Sequence, residues 1–287
     1  MPIVIAHRGA SGYRPEHTLA AYELGARQGA DYIEPDLVST RDGALVARHE
    51  NEISGTTDVA DHPGFADRRT TKEIDGKVYD GWFTEDLTLA ELKTLRARER
   101  IPDVRPENVA YDGRFEVPTL QEVIDLATRL SKELGRTIGI YPETKHPAHH
   151  RALGVALEPA LVAALRRNGL DSAGAPVFVQ SFDPASLEEL GGALTVPLVQ
   201  LLGSGPVDID AVARYAQAIG LAKRLVTADL VATAHAVGLA VHPYTFRRER
   251  RFLPDDVPDL TAELRRYYEM GVDGVFTDNP DVAVAAG

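Results

Sequence analysis

Short apolar runs rich in β-branched residues, most of them separated by stretches long enough for a helix, constrain this chain more than any other feature. They fall at 3–6, 31–37, 44–49, 137–143, 176–181, 196–202, 239–244 and 273–277. Such alternation is the signature of a parallel-sheet α/β protein. Eight runs in 287 residues predict one domain spanning 1–287, folded as a TIM (β/α)8 barrel, with a doubly wound open sheet as the competing arrangement. The intervening segments carry helix-start signals. Thr119 with Glu122, and Thr88 with Glu91, have capping-box spacing, and Asp183-Pro184 offers an N-cap followed by proline at the first helical position.

Two departures from an ideal barrel are visible. Only Val38 to Gly43 separate the second and third runs, too few residues for a crossover between parallel strands. The chain is therefore expected to double back there, with 38–41 running down from the site, Asp42-Gly43 turning, and 44–49 climbing so that His49 arrives beside Asp36. After that third run, residues 51–116 are rich in Gly, Pro, Asp and Arg and read as an inserted, cap-like segment. Pro35 lacks a ladder donor and should bulge or bend the second strand.

Composition narrows the function. With 43 acidic and 31 basic residues the net charge is −12, which disfavours nucleic acid or an anionic membrane as a general partner. An anionic ligand must then meet a local cluster of cations. The absence of cysteine excludes disulfides and thiolate catalysis. No apolar run approaches the ~20 residues of a membrane span, so stable membrane insertion is not expected. No signal peptide precedes the strand beginning at Ile3, and the chain reads as cytoplasmic or as an exported mature form whose leader has been removed.

Several runs end in charged or imidazole residues: His7-Arg8, Glu34-Pro35-Asp36, His49-Glu50, Glu143-Thr144-Lys145 and Thr277-Asp278. In a barrel, active residues stand where the strands emerge. Glu34 and Asp36 are two apart and so share a face of an extended strand. Facing a core, they need a cation or hydrogen-bond donors to stay ionised; otherwise they are solvated strand-end charges. Glu143 could add a third oxygen ligand, a set suited to hard Ca²⁺ or Mg²⁺ rather than zinc. Arg8 and Lys145 could neutralise a phosphate, or serve as ordinary ion-pair partners. His7 and His49 are candidates for proton transfer near neutrality. Gln180, Phe182 and Tyr244, at or just beyond strand ends, are candidate substrate contacts. Trp82 and Phe83 could line or cover the site from the insertion, and the run Arg247-Arg248-Glu249-Arg250-Arg251 reads as a solvated loop.

Taken together, His7-Arg8-Gly9-Ala10, Pro15-Glu16-His17-Thr18, Glu34-x-Asp36, Thr40-Arg41-Asp42-Gly43 with His49, Pro142-Glu143-Thr144-Lys145, Gln180-Ser181-Phe182 and Gly271-Val272-Asp273-Gly274-Val275-Phe276-Thr277-Asp278 resemble the successive motifs of glycerophosphodiester phosphodiesterases. Thr57-Asp58-Val59 and the 51–116 insertion resemble the larger bacterial, periplasmic-type subclass. The resemblance implies a TIM barrel, one divalent cation held at Glu34, Asp36 and Glu143, phosphate contacts from Arg8 and Lys145, and acid–base roles for His7 and His49. It implies hydrolysis of a small-molecule glycerophosphodiester to sn-glycerol 3-phosphate and an alcohol such as choline or ethanolamine. The chain departs from the common pattern at Glu50, where aspartate is usual, and at His17, which reads as a supporting or capping residue. A phospholipase D-type lyase on the same barrel, a non-catalytic glycerophosphodiester receptor and a metal-dependent sugar isomerase are the other readings.

Overall fold

The first strand, Ile3–His7, pairs in parallel with Tyr32–Glu34 on one side and with Gly274–Thr277 on the other, so the two ends of the chain meet in one sheet. The computed structural model describes residues 1–205 and 208–287. Eight parallel staves follow in order: Ile3–His7; Tyr32–Glu34 continued by Asp36–Ser39; Gly139–Ile140 continued by Glu143–Thr144; Val179–Ser181; Leu198–Leu202; Ala218–Leu221; Ala240–Val241; and Gly274–Thr277. Hydrogen bonds from Asp273 N–H to the Val241 carbonyl (2.9 Å) and from Phe276 N–H to the Pro243 carbonyl (3.0 Å) close the ring between the last two. The fold is a TIM barrel.

The staves differ from the sequence expectation in two places. Residues 45–47 are not a barrel stave; Leu45–Ala47 pairs antiparallel with Asp36–Ser39. The stave that takes its place in the count is the sixth, Ala218–Leu221, a run too short and too even in character to be singled out from sequence. The doubling back itself is present, in the opposite sense to that expected. Asp36–Ser39 keeps the direction of Glu143–Thr144 and climbs beyond the barrel mouth, and Leu45–Ala47 descends. Arg48 N–H then donates to the Asp36 carbonyl (2.9 Å), delivering His49 to the level of the strand ends. Pro35 breaks the second stave as its missing donor requires.

The expected helix caps are all formed: capping boxes at Thr119/Glu122 and Thr88/Glu91, and Asp183 accepting from Ala185 N–H ahead of Pro184. The helices bury Val4, Ala6, Ile33, Leu37, Ile140, Val179, Ile219, Leu221, Val241 and Val275, the outward-facing residues of the staves. The alternate residues point inward. Ile5, Tyr141, Val199, Ala218 and Phe276 fill the barrel interior, with Tyr141 stacked on Phe178 at 4.9 Å and edge-on to Phe276 at 5.0 Å. This aromatic plug is the floor on which the site rests.

Residues 51–116 form an irregular segment with short 3₁₀ turns, the helix Leu89–Leu92 and one hairpin, Thr70–Ile74 with Lys77–Gly81. Its apolar side chains Ile53, Val59, Trp82, Leu87, Leu92 and Leu95 pack with Val38 and Val46 of the protruding ribbon. The ribbon thus supplies the apolar surface on which the insertion folds. Among the described residues, no helix is long and apolar enough to cross a membrane.

Candidate active site

The two-residue period of each stave carries apolar side chains in the lower barrel and chemistry at its mouth. Inward positions run from Ile3 and Ile5 to His7, from Tyr32 to Glu34, from Tyr141 to Glu143, and from Phe178 to Gln180 and Phe182. Strand register sets their heights: His7 is level with Glu34, Asp36 with Glu143, and Glu143 with Gln180. A cavity of about 380 Å³ opens over them, lined by His7, Arg8, Glu34, His49, Glu143, Lys145, Gln180, Phe182 and Tyr244. Of the candidate catalytic, metal, phosphate and substrate residues, all except Asp36 line it directly, and Asp36 is buried.

Glu34, Asp36 and Glu143 are buried and offer three carboxylate oxygens all within 4.8 Å of one another. Burial and mutual repulsion push Glu34 well above the usual carboxylate range, and burial pushes Glu143 up to about 8 despite Lys145. Burial also works against ionisation of Asp36, but Lys145 and His17 outweigh it and hold Asp36 well below that range. Glu34 is oriented by Arg8 N–H (2.7 Å) and by the Gln180 amide (3.1 Å). Asp36 Oδ2 accepts from His17 Nε2 at 2.9 Å, while its Oδ1 is buried with no donor. Three clustered oxygens, one of them unpartnered and two of them on carboxyls driven towards protonation by their neighbours, fit a hard divalent cation. Among the described residues this is the one cluster with ligand spacing.

Two cations flank the carboxylates. Lys145 Nζ lies 2.9 Å from Glu143 Oε1. Arg8 pairs with Glu16 (3.1 Å) and approaches Asp36 (3.4 Å). Arg8 has φ +59 and is followed by Gly9 at φ +86, so the chain turns out of the strand within two residues and leaves the guanidinium at the mouth. Glu16 is in turn paired with Arg100 of the insertion (2.9 Å).

His7 Nδ1 lies 2.6 Å from Asp278 Oδ1. Burial and the adjacent Arg8 lower the ring to about 4, against the pull of Asp278. A neutral ring that donates from Nδ1 keeps Nε2 as an acceptor. His49, lowered to about 3 by burial and by Arg8 and Lys145, has Nδ1 2.9 Å from Glu50 Oε1. His7 is thus hydrogen-bonded to its carboxylate, whereas His49 Nδ1 lies beside Glu50 without the geometry of a hydrogen bond. His17 has neither cavity access nor a capping role, since Thr18 caps the following helix. Its neutral ring accepts from Tyr22 Oη–H at Nδ1 (2.6 Å) and donates from Nε2 to Asp36, which makes it a support for the carboxylate cluster.

The remaining expectations divide. Gln180 and Tyr244 stand at the cavity as anticipated, and Phe182 lies over it with its ring beneath Lys145. Trp82 and Phe83 do not line it: Trp82 donates its indole N–H to the Phe65 carbonyl (2.6 Å), and Phe83 is buried under Lys72. The basic run is not wholly a solvated loop. Arg248, Arg250 and Arg251 are exposed, but Arg247 lines the cavity and holds Asp278 at 2.8 Å. Arg105, from the insertion, holds the same carboxylate at 2.6 Å. Arg48 is buried, has no carboxylate partner among the described residues, and donates to the carbonyls of Ala47, Thr56, Glu16 and His17. The strand-end position of Asp278 was a signal for its role; Arg105 and Arg48 carry none in their local sequence.

Comparison with known proteins gives a consistent result. Residues 7–282 match the model of the glycerophosphoryl diester phosphodiesterase family. A glycerophosphodiester phosphodiesterase of Arabidopsis thaliana is 36% identical over 96% of this chain and 83% of its own length, and one of Bacillus subtilis is 31% identical over 98% and 84%. Among solved structures, a phosphodiesterase of Oleispira antarctica in complex with the product sn-glycerol-3-phosphate superposes with TM-score 0.73 at 23% identity, covering 100% of this chain and 96% of its own.

Proposed function

This chain belongs to the glycerophosphoryl diester phosphodiesterase family, and from that premise we propose that it is a divalent-cation-dependent hydrolase releasing sn-glycerol 3-phosphate and an alcohol from glycerophosphodiesters, with His7 and His49 moving the protons. The observation that carries this reading is the grouping of three buried carboxylate oxygens within 4.8 Å at a cavity that also receives two cations and two imidazoles, each with Nδ1 beside a carboxylate.

Glu34, Asp36 and Glu143 would hold Ca²⁺ or Mg²⁺, and the bound ion would supply positive charge against the phosphoryl oxygens. Arg8, with its planar fork, and Lys145, a point charge, share the rest of the phosphoryl charge. One imidazole accepts the proton of the attacking hydroxyl, supplied by water or first by the glycerol 2-hydroxyl. The other returns a proton to the alcohol oxygen as its bond to phosphorus breaks. Burial first, and then the neighbouring cations, lower both rings, and the negative substrate offsets part of that cationic charge. Gln180, Phe182 and Tyr244 contact the organic arms. A receptor would need the cations but no such pair of oriented rings.

The test is release of glycerol 3-phosphate from glycerophosphocholine and glycerophosphoethanolamine, followed with a coupled dehydrogenase, in EDTA and after adding back each cation. Turnover restored by a cation and abolished in His7→Ala supports the proposal. A folded protein that binds these compounds without turning them over under any condition refutes it.

A further inference from the structure

Glu50 bridges two histidines. One carboxylate oxygen lies 2.9 Å from His49 Nδ1, a close charge contact outside hydrogen-bond geometry, and the other is hydrogen-bonded to His146 Nε2 at 3.0 Å. The second ring nitrogen of His146 lies 2.5 Å from Asp75 Oδ2, at the tip of the inserted hairpin. His146 adopts φ +47, a region uncommon for a residue with a β-carbon, and sits one residue beyond Lys145. Strain of this kind is retained where the surroundings over-determine it.

The two cavity histidines are held differently. Asp278, which orients His7, is buried and gripped by Arg105 and Arg247. Glu50 has a longer side chain that is 35% exposed and no arginine or lysine partner among the described residues. A glutamate free to rotate about three side-chain torsions would hold an imidazole poorly. His146 supplies the missing restraint: with a carboxylate on each ring nitrogen it can donate from both, and one donation pins Glu50.

We propose that His146 is a positioning residue, which, anchored by Asp75 of the inserted hairpin, fixes Glu50 and through it the orientation and tautomer of His49. Neither Glu50 nor His146 lines the main cavity, so their effect on substrate is indirect. The hairpin thereby becomes a structural part of the reaction centre. The kinetic arm of the test rests on the diesterase reading above; the spectroscopic arm does not.

The variants are His146→Asn, whose side chain tolerates a left-handed backbone but cannot reach both partners, and Asp75→Gly at the exposed turn. In the cation-loaded protein, His146→Asn should lower kcat about 10- to 100-fold, the range seen when outer-shell partners of a site are removed, with KM within twofold. Asp75→Gly should act in the same direction and less. Imidazole ¹⁵N spectra, with His49 assigned from the signal lost in His49→Gln, should move from a single tautomer in the parent to a mixture in His146→Asn. Unchanged His49 ring signals in both variants overturn the proposal whatever the kinetics. So does an unchanged kcat in both variants of an active parent. A parent with no turnover defeats the diesterase reading, and the spectra still decide the role of His146.

Discussion

Arg105 Nη2 donates to Asp278 Oδ2 at 2.6 Å across 173 residues of sequence, joining the insertion to the carboxylate that orients His7. Arg105 also donates to the Ser11 carbonyl (2.9 Å) and pairs with Glu249. The insertion is thus tied to the barrel mouth by a buried charge.

Arg105→Leu should therefore affect both stability and turnover. Removing one partner of a buried ion pair costs about 3 kcal/mol, and Arg247 remains to limit the damage to Asp278. A urea unfolding midpoint and kcat should fall together. A variant as stable as the parent would show that the pair contributes little.

Glu34→Gln should have opposite effects with and without cation. In EDTA it relieves repulsion among three buried carboxyls, so the thermal midpoint should hold steady or rise. With Ca²⁺ or Mg²⁺ the parent gains stability by binding and the variant should gain less. Equal cation-induced shifts in both proteins would remove Glu34 from the ligand set.

Two glycines separate backbone strain from close approach. Gly9 and Gly43 both have positive φ, +86 and +79. A β-carbon at Gly9 would fall 2.5 Å from the Ala21 carbonyl carbon and 2.7 Å from Tyr22 N, whereas at Gly43 nothing lies within 4 Å. Gly43→Ala should cost about 1–2 kcal/mol, the ordinary penalty of the left-handed region. Gly9→Ala must also displace the helix that follows Thr18, and should cost clearly more in the same chemical denaturation experiment.

Acid should destabilise the fold through buried imidazoles. His150 and His242 are lowered to about 4, both chiefly by burial, from about 6.5 in the unfolded chain. The unfolded state binds more protons in that window, so their contribution is fully present above pH 6.5 and is lost as pH falls towards 4. The slope is about 1.4 kcal/mol per pH unit for each ring. Among the described residues neither ring nitrogen of His150 has a partner, so His150→Leu loses no hydrogen bond there. It should flatten the pH dependence of the unfolding free energy by about one proton; an unchanged slope would contradict the assignment.

Much of the site was legible because its signals are local. Backbone hydrogen bonding imposes a period of two on a strand, so Ile5 and His7, or Tyr141 and Glu143, announce an inward face that turns from apolar to reactive at its end. The capping boxes at Thr119 and Thr88 were equally local. Run counting reached the barrel but misassigned one stave, taking 44–49 and passing over Ala218–Leu221, because a short apolar run looks the same whether its neighbours lie parallel or antiparallel.

The sequence by itself determined which residues stand at the strand ends: His7, Arg8, Glu34, Asp36, Glu143, Lys145 and Gln180 follow from periodicity and the positions of charge. Only the tertiary structure decided what holds them. Arg105 on Asp278, Arg48 on the carbonyls of Glu16 and His17, and His146 between Glu50 and Asp75 join segments whose separation along the chain carries no pattern. Periodicity is a property of one hydrogen-bonded segment; an ion pair depends on distance through space, and that distance exists only once the barrel has closed and the insertion has packed against Val38 and Val46.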